Sequence, residues 1–349
     1  MRSATLRPER IVGVAPTGAA ALGGLALVGL AALLLARRGA VAKTARRLVH
    51  AAPKLLEPTR AAHPVSEPRP QAPTGLPPAV RAGRRLNQAS GVLAVAVLLD
   101  SAVEHYRGSF ENKAMISPLV SSAMSIAASL HGVADRRVEA HRARDAVYAV
   151  AGLSGFVGTG FHLYNIGKRP GGFSWLNLFY AAPVGAPMAL TLSGMLGFLA
   201  ERVRDNDPRE TPLILGFPAG RAVAALAGAG ILGTVGEVGL LHFRGAYHNP
   251  AMFLPVTVPP AAAALLGWCA IRRDGAPRLV TCWWLRATAS LGIAGIGFHA
   301  FGVARAMGGW RNWSQNILNG PPLPAPPSFT GLSLAGLAAL RLMEEHADA

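Results

Sequence analysis

The 349-residue chain has few charged residues, few aromatic residues and almost no cysteine. Charged residues make up 15% of it and aromatic residues 7%, and the two cysteines are Cys269 and Cys282. Two cysteines cannot build a disulfide framework or a CxxC zinc site, so we interpret both as small core residues. The chain also lacks a nucleotide-binding P-loop, a GxSxG nucleophile elbow and an HExxH motif. The sequence therefore predicts no particular enzyme class.

Long apolar runs are what the chain has in abundance. Hydrophobic residues make up 51% of the sequence, and several runs of about 20 residues carry few or no charges, which is the length that crosses a bilayer core. This pattern predicts an all-α, polytopic integral membrane protein whose first partner is the lipid bilayer. The net charge of +16 is expected from the basic loops of such a protein. We expect no nucleic-acid binding, because no aromatic–basic recognition module is present.

The N-terminal part divides into two segments. Residues 1–36 contain an uncharged run, which we interpret as a retained transmembrane helix because it is too long for a signal peptide and has no clean cleavage site. Residues 37–85 are basic and rich in proline, a composition that predicts a linker without a packed core. Eight further spans are predicted at about 86–105, 114–131, 146–166, 178–200, 222–242, 251–271, 281–304 and 328–343.

The distribution of basic residues predicts the orientation in the membrane. One set of alternating loops, beginning with the linker 37–85, holds 23 Lys and Arg residues, and the other set holds seven. Basic loops stay on the cytoplasmic side. We therefore predict a multi-pass protein of the cell inner (plasma) membrane with a cytoplasmic linker.

An internal repeat is visible at an offset of 137 residues. Residues 105–115 read HYRGSFENKAM and residues 242–252 read HFRGAYHNPAM, while GFVGTGFH at 155–162 returns as GIAGIGFH at 292–299. One shared offset over this length predicts a tandem duplication of a four-helix unit. We expect one unit at 86–204 and the other at 222–343, in parallel orientation about a pseudo-two-fold axis along the membrane normal. The repeated HxRG motifs then lie on the extracytoplasmic side.

Two histidine positions recur in both copies, and the four histidines are all predicted near the extracytoplasmic surface. They are His105, His162, His242 and His299. Imidazole is a common ligand of transition metals, and two imidazoles on facing helices can hold a haem iron. The pattern therefore favours a site for haem b or a transition metal. Arg107 and Arg244 are candidates for binding haem propionates, and Asp100 and Glu237 are candidates as metal ligands, as acceptors that orient a histidine, or as proton carriers.

The sequence leaves three functions open. The first, which we rank slightly ahead, is a membrane subunit of a redox system that anchors a partner dehydrogenase on the extracytoplasmic face or accepts its electrons. The second is a transporter or channel for a small solute or ion, with Asp100 and Glu237 as ion or proton sites. The third is a structural or assembly protein, in which the repeated glycines pack helices and the repeated histidines form hydrogen bonds.

Overall fold

Long helices account for most of the chain that the structure describes. The computed structural model describes residues 76–345, apart from 182, 207–210 and 273–275. The α-helices in this part are α1 (Pro78–Arg107), α2 (Ser117–Ala134), α3 (Arg142–Gly167), α4 (Trp175–Tyr180), α5 (Gly185–Arg204), α6 (Ala219–Arg244), α7 (Leu254–Ile271), α8 (Arg278–Arg305), α9 (Trp313–Asn319) and α10 (Pro327–Glu345). A small antiparallel hairpin, β1 (Leu213–Ile214) and β2 (Phe217–Pro218), lies between α5 and α6. The prediction of a mainly α-helical protein is therefore confirmed.

Proline and glycine mark several helix boundaries. Pro78, Pro118 and Pro255 stand at or next to the first position of α1, α2 and α7, where the missing N–H costs no helical hydrogen bond. Gly108 and Gly245 directly follow α1 and α6. The loops between the helices therefore begin where a residue interrupts or starts the helical hydrogen-bond pattern.

Six helical segments are long and apolar enough to cross a membrane, which fits a multi-pass membrane protein. They are Pro78–Arg107, Lys113–Ala134, Arg142–Gly167, Ala219–Arg244, Pro250–Ile271 and Arg278–Arg305. The other two predicted spans, 178–200 and 328–343, correspond to α5 and α10, which carry charged residues in their last turns. The span predicted at 178–200 is also interrupted, because α4 ends at Tyr180 and α5 begins only at Gly185.

The first described helix begins earlier than the sequence predicts. Helix α1 starts at Pro78, so the end of the predicted linker 37–85 is helical. Val80 and Ala82 are buried, and burial of these apolar side chains stabilises the additional turns. The predicted transmembrane helix in residues 1–36 and most of the predicted linker lie outside the described residues.

The two halves of the chain have the same internal packing. In the first half (α1–α5), α1 packs against α2 and α5, and α3 packs against the same two helices. In the second half (α6–α10), α6 and α8 both pack against α7 and α10. The four long helices of each half therefore form a ring, and the first and third helices lie on its diagonal.

Element boundaries in the two halves are separated by 137 residues or close to it. Helices α1 and α6 end at Arg107 and Arg244, and the next helices end at Ala134 and Ile271. The 3-10 turns before α2 and α7 begin at Lys113 and Pro250. Between the halves, α1 packs extensively against α10, while α6 makes a smaller contact with α5. Each half therefore contacts the other through its first and its last long helix.

Candidate functional site

The four repeated histidines lie at one end of the helical bundle, called here the histidine end. His105 and His242 are in the last turn of α1 and α6, and His162 and His299 are in the last two turns of α3 and α8. All four side chains are partly buried. The opposite end, where α3 and α8 begin and α5 and α10 end, is called the arginine end.

The first histidine of each half fixes the loop that follows its helix. The Nδ1 atom of His105 lies 2.6 Å from the carbonyl oxygen of Met115, and Nδ1 of His242 lies 2.8 Å from that of Met252. In the same loops, the side chains of Asn112 and Asn249 accept a hydrogen bond from the backbone N–H two residues later, which caps the 3-10 turn. The repeated histidine, asparagine and methionine therefore belong to one folded loop.

The backbone of this loop has the same unusual conformation in both halves. Ser109 and Phe110 have φ angles of 53° and 50°, and Ala246 and Tyr247 have angles of 55° and 45°. Residues with side chains rarely adopt this left-handed region, and each such residue costs about 1–3 kcal/mol. The hydrogen bonds of the flanking histidine and asparagine hold this conformation in place.

The second histidine of each half fixes the segment that precedes the last long helix. Nδ1 of His162 lies 2.5 Å from the carbonyl oxygen of Pro183, and Nδ1 of His299 lies 2.6 Å from that of Pro322. A carbonyl oxygen can only accept a hydrogen bond, so Nδ1 is the protonated nitrogen of each neutral ring. In all four rings the Nε2 lone pair is then available to bind a metal ion or a hydrogen-bond donor.

The structure brings the histidines together within each half. His105 and His162 are close enough to interact electrostatically, and so are His242 and His299. In each pair one ring comes from the first helix and the other from the third helix of the ring. Each half therefore has two imidazoles near one another on its diagonal.

The repeated glycines are sites of close helix contact. A methyl group at Gly155 would collide with the backbone of Pro187 and Thr191 on α5, and one at Gly292 would collide with Thr330 and the backbone of Pro326. These glycines therefore bring a second helix close to the backbone. Gly160 and Gly297 differ, because a methyl group there would meet no atom within 4 Å.

The two predicted carboxylates lie between the halves. Oε1 of Glu237 accepts a hydrogen bond of 2.9 Å from the backbone N–H of Gly185 at the start of α5. Asp100 is close enough to Glu237 and Glu104 to interact with both electrostatically. Because backbone carbonyls are the acceptors of all four histidine Nδ1 atoms, Asp100 and Glu237 do not orient the rings through that nitrogen.

The two repeated arginines have different partners. Arg107 forms an ion pair of 2.8 Å with Glu104 one turn earlier on α1. Arg244 donates a hydrogen bond of 3.2 Å to the carbonyl oxygen of Phe179 in the other half, and its guanidinium lies over the ring of Tyr180. Both side chains are exposed, so they remain accessible to an anionic group at the histidine end.

Within the described residues, no group of three or more His, Cys, Asp or Glu side chains has the arrangement of a metal site. The histidines are present as pairs. No protein-family model, curated protein or solved structure matches the chain. Its own side chains are therefore the basis for assigning a function.

A buried ionic cluster at the arginine end of the first half is a feature that the sequence analysis missed. Arg144 forms hydrogen bonds of 2.9 and 2.8 Å with both carboxylate oxygens of Glu201 and a third of 2.8 Å with Asp135. The side chains of Arg144 and Glu201 are 2% and 0% exposed. Arg204 is also buried and donates to three backbone carbonyls. We call Asp135, Arg144, Glu201 and Arg204 the ionic cluster.

The ionic cluster sets the protonation of the aspartate at its edge. Burial acts to raise the pKa of Asp135, but hydrogen bonds from the backbone N–H of Arg137 and the guanidinium of Arg144 outweigh it, and the pKa lies below its ordinary value. Asp135 is therefore a carboxylate at neutral pH. His131 and His141, which have no repeated counterpart, pack edge to face against each other beside the cluster. The His131 ring lies within hydrogen-bond distance of Arg144, and the backbone N–H of His141 donates to Glu201.

The second half has an apolar core at the corresponding place. At the offset of 137 residues, Arg144 and Tyr148 correspond to Thr281 and Leu285. Leu285, Leu266 and Leu340 belong to the main hydrophobic core. The charges that build the cluster were visible in the sequence only as basic and acidic residues near span ends. The residue pairs at this offset are the sequence signal for the difference between the halves.

A second missed feature is a repeated arginine at the same end. Arg84 donates a hydrogen bond of 2.5 Å to the carbonyl oxygen of Val133, and Arg221 donates one of 2.5 Å to that of Ala270. Both acceptors lie in the last turn of the second helix of their half, where carbonyl groups lack helical partners. Arg84 and Arg221 are separated by the 137-residue repeat offset, but both lie just outside the predicted units 86–204 and 222–343.

Proposed function

We propose that the two halves are copies of one four-helix unit in parallel orientation. Support comes from the shared offset of the sequence motifs, from the matching helix ends at Arg107 and Arg244, and from the equal ring packing. The contacts between the halves are reciprocal, since the first helix of each packs against the last helix of the other. Such reciprocity is expected of two copies related by a pseudo-two-fold axis.

We propose that the protein is an integral membrane subunit of a redox system and that each His pair binds haem b or a transition metal. The observation that carries this proposal is the anchoring of all four imidazoles through Nδ1 to a backbone carbonyl. Metal-binding histidines commonly have this second hydrogen bond, which orients the ring and increases the basicity of Nε2. All four rings share this arrangement.

Of the two types of centre, haem fits the ligand set better. A haem iron needs two axial ligands from the protein, and each half supplies one pair of imidazoles. Zinc sites use three or four protein ligands, which is more than either pair provides. The exposed Arg107 and Arg244 beside the first histidines are suitable partners for the propionates.

Both His pairs lie at the same end of the bundle, and this shared position indicates which redox partner such a subunit serves. Electron transfer across a bilayer needs centres at two depths, and the pairs have similar depth. A centre at this end serves a redox partner on that surface. The basic loops lie at the other end, so the positive-inside rule assigns the histidine end to the extracytoplasmic side. The partner that we propose is therefore an extracytoplasmic dehydrogenase.

The first test is an absorption spectrum of the detergent-purified full-length protein, oxidised by air and then reduced with dithionite, with metal analysis of the same sample. Haem ligated by two histidines gives a sharpened visible band on reduction. A colourless protein without bound metal after expression with added haem precursor, and without spectral change on haem addition, would contradict the proposal.

Variants separate a ligand role from a purely structural role. The side-chain amide nitrogen of Asn occupies about the position of Nδ1 in His, so His105→Asn and His242→Asn keep a donor toward Met115 and Met252 but remove Nε2. We expect the double Asn variant to lose the bound group while its melting temperature stays near that of the protein without cofactor. His248→Asn is the control, because His248 is exposed and has no histidine counterpart. Retention of the group by the double variant would exclude these two histidines as ligands.

A transporter is the second candidate, and one observation favours it. Asp100 and Glu237 interact electrostatically with each other between the halves, and carboxylates inside membrane spans commonly bind ions or protons. In that case Asp100→Asn and Glu237→Gln abolish ion or proton flux in proteoliposomes, and the His→Asn variants retain it. Wild-type liposomes without any flux would leave the third candidate, a scaffold in which the histidines only fix the loops.

A further inference from the structure

We propose that the groove between α1, α8 and α10 at the arginine end binds an anionic phospholipid. The groove encloses about 470 Å³ and is lined by Arg85, Arg286, Arg341 and Glu344 and by an apolar wall that includes Leu334 and Leu337. This volume is in the range of small-molecule sites. The groove is independent of the histidine pairs, so the proposal does not rest on the proposed redox function.

The charge in the groove selects the headgroup. Three of its described lining residues carry a guanidinium group and one carries a carboxylate, so arginines outnumber carboxylates there. Guanidinium groups bind phosphate oxygens through paired, charge-assisted hydrogen bonds. Basic pockets between transmembrane helices are known to bind acidic headgroups. A phosphodiester with adjoining acyl chains matches both the arginines and the leucine wall.

Arg286 supplies an independent argument for a ligand. It lies eight residues after Arg278, the first residue of α8, which is about 12 Å along the helix. Its side chain is exposed, and its guanidinium lies 5.0 Å from the centre of the Trp283 ring. An exposed arginine within a membrane span is costly unless an anion accompanies it. A lipid phosphate in the groove provides that anion.

Two of the three groove arginines have no arginine at the corresponding position of the other half. At the repeat offset, Arg286 corresponds to Ala149 and Arg85 to Ala222, whereas Arg341 corresponds to Arg204. Duplication alone therefore does not explain Arg85 and Arg286. We infer one lipid site in the chain, at the junction where α1 of the first half packs against α10 of the second.

The experiment is native mass spectrometry of the full-length protein in detergent with added phosphatidylglycerol or phosphatidylcholine of identical acyl chains. We expect wild-type protein to retain one phosphatidylglycerol about tenfold more strongly, since one charge-assisted hydrogen bond corresponds to about that factor. The variant Arg286→Gln with Arg341→Gln should lose this preference. Arg136→Gln with Arg272→Gln is the matched control. It removes the same number of positive charges from two exposed arginines that do not line the groove.

Each outcome decides the proposal. Loss of the preference in the groove variant and its retention in the control support a specific lipid site. Equal loss in both variants indicates general attraction of lipid to basic residues and overturns it, as does equal binding of the two lipids. Complete displacement of phosphatidylglycerol by millimolar inorganic phosphate indicates a free-anion site and also overturns it. Single Arg341→Gln repeats the test if the double variant does not fold, because Arg341 is exposed at the end of α10.

Discussion

The carboxylate of Glu237 and the backbone N–H of Gly185 join the two halves through a hydrogen bond of 2.9 Å. Gly185 is the first residue of α5, where backbone N–H groups have no helical acceptor. A carboxylate is favoured at this position by the positive end of the helix dipole. Glu237 thus acts as a cap for a helix of the opposite half.

The first prediction concerns this cap. Glu237→Gln retains an acceptor oxygen of similar size, whereas Glu237→Leu leaves the Gly185 N–H without a partner. We expect the Gln variant to melt within a few degrees of wild type and the Leu variant to lose about 1–3 kcal/mol of stability. Thermal unfolding in detergent, followed by tryptophan fluorescence, measures both. Equal stability of the two variants would show that the hydrogen bond has no energetic role.

The second prediction concerns the repeated glycines. Gly155→Ala and Gly292→Ala place a methyl group against the backbone of α5 and α10, and such overpacking costs about 1–3 kcal/mol. Gly160→Ala and Gly297→Ala introduce the same methyl group into open space and should leave the stability unchanged or slightly increased. The four melting temperatures give the comparison. A loss of stability at Gly160 equal to that at Gly155 would refute close helix packing as the reason for these glycines.

The third prediction concerns the buried ion pair of the ionic cluster. Glu201→Leu removes the carboxylate and leaves the Arg144 guanidinium, 2% exposed, without its main partner. Removal of one member of a buried pair costs about 3–5 kcal/mol. Adding Arg144→Leu should recover part of this loss, and a double-mutant cycle in urea or detergent unfolding gives the coupling. Additive effects of the two substitutions would show that the residues act independently.

The fourth prediction is a pH dependence at Asp135. Its pKa is lower in the folded protein than the ordinary value of about 3.9, so the carboxylate stabilises the fold above that pH. The contribution decreases as the pH falls through the folded pKa. The melting-temperature difference between wild type and Asp135→Asn should therefore be constant from about pH 8 to 5 and should become smaller below about pH 4. Glu139→Gln, at an exposed carboxylate, should show no such change.

The sequence alone predicted the features that depend on local pattern. The lengths of the apolar runs predicted the long helices, and the shared offset predicted that His105 and His242 lie at corresponding helix ends. Helix packing through the repeated glycines, which the third of the open functions predicted, is present at Gly155 and Gly158, because both lie against α5. These properties follow from periodicity along one helix, which is readable without knowledge of the neighbouring helices.

Features that depend on contacts between distant segments were not predictable. Asp135, Arg144 and Glu201 form one cluster only because the starts and ends of three different elements meet at the arginine end. The acceptors of the histidine Nδ1 atoms are backbone carbonyls, which carry no sequence signature. The early start of α1 at Pro78 was missed because the proline-rich composition of the preceding residues concealed the buried Val80.

The first helix of each half packs against the last long helix of the other half, and the contact of α1 with α10 is more extensive than that of α6 with α5. Under the duplication that we propose, this pairing is the former interface of a dimer whose two subunits have become one polypeptide. In such a fused chain, a substitution changes one half only. A symmetric dimer could not have the ionic cluster in one subunit and the leucine core in the other, because both subunits would carry the same residues.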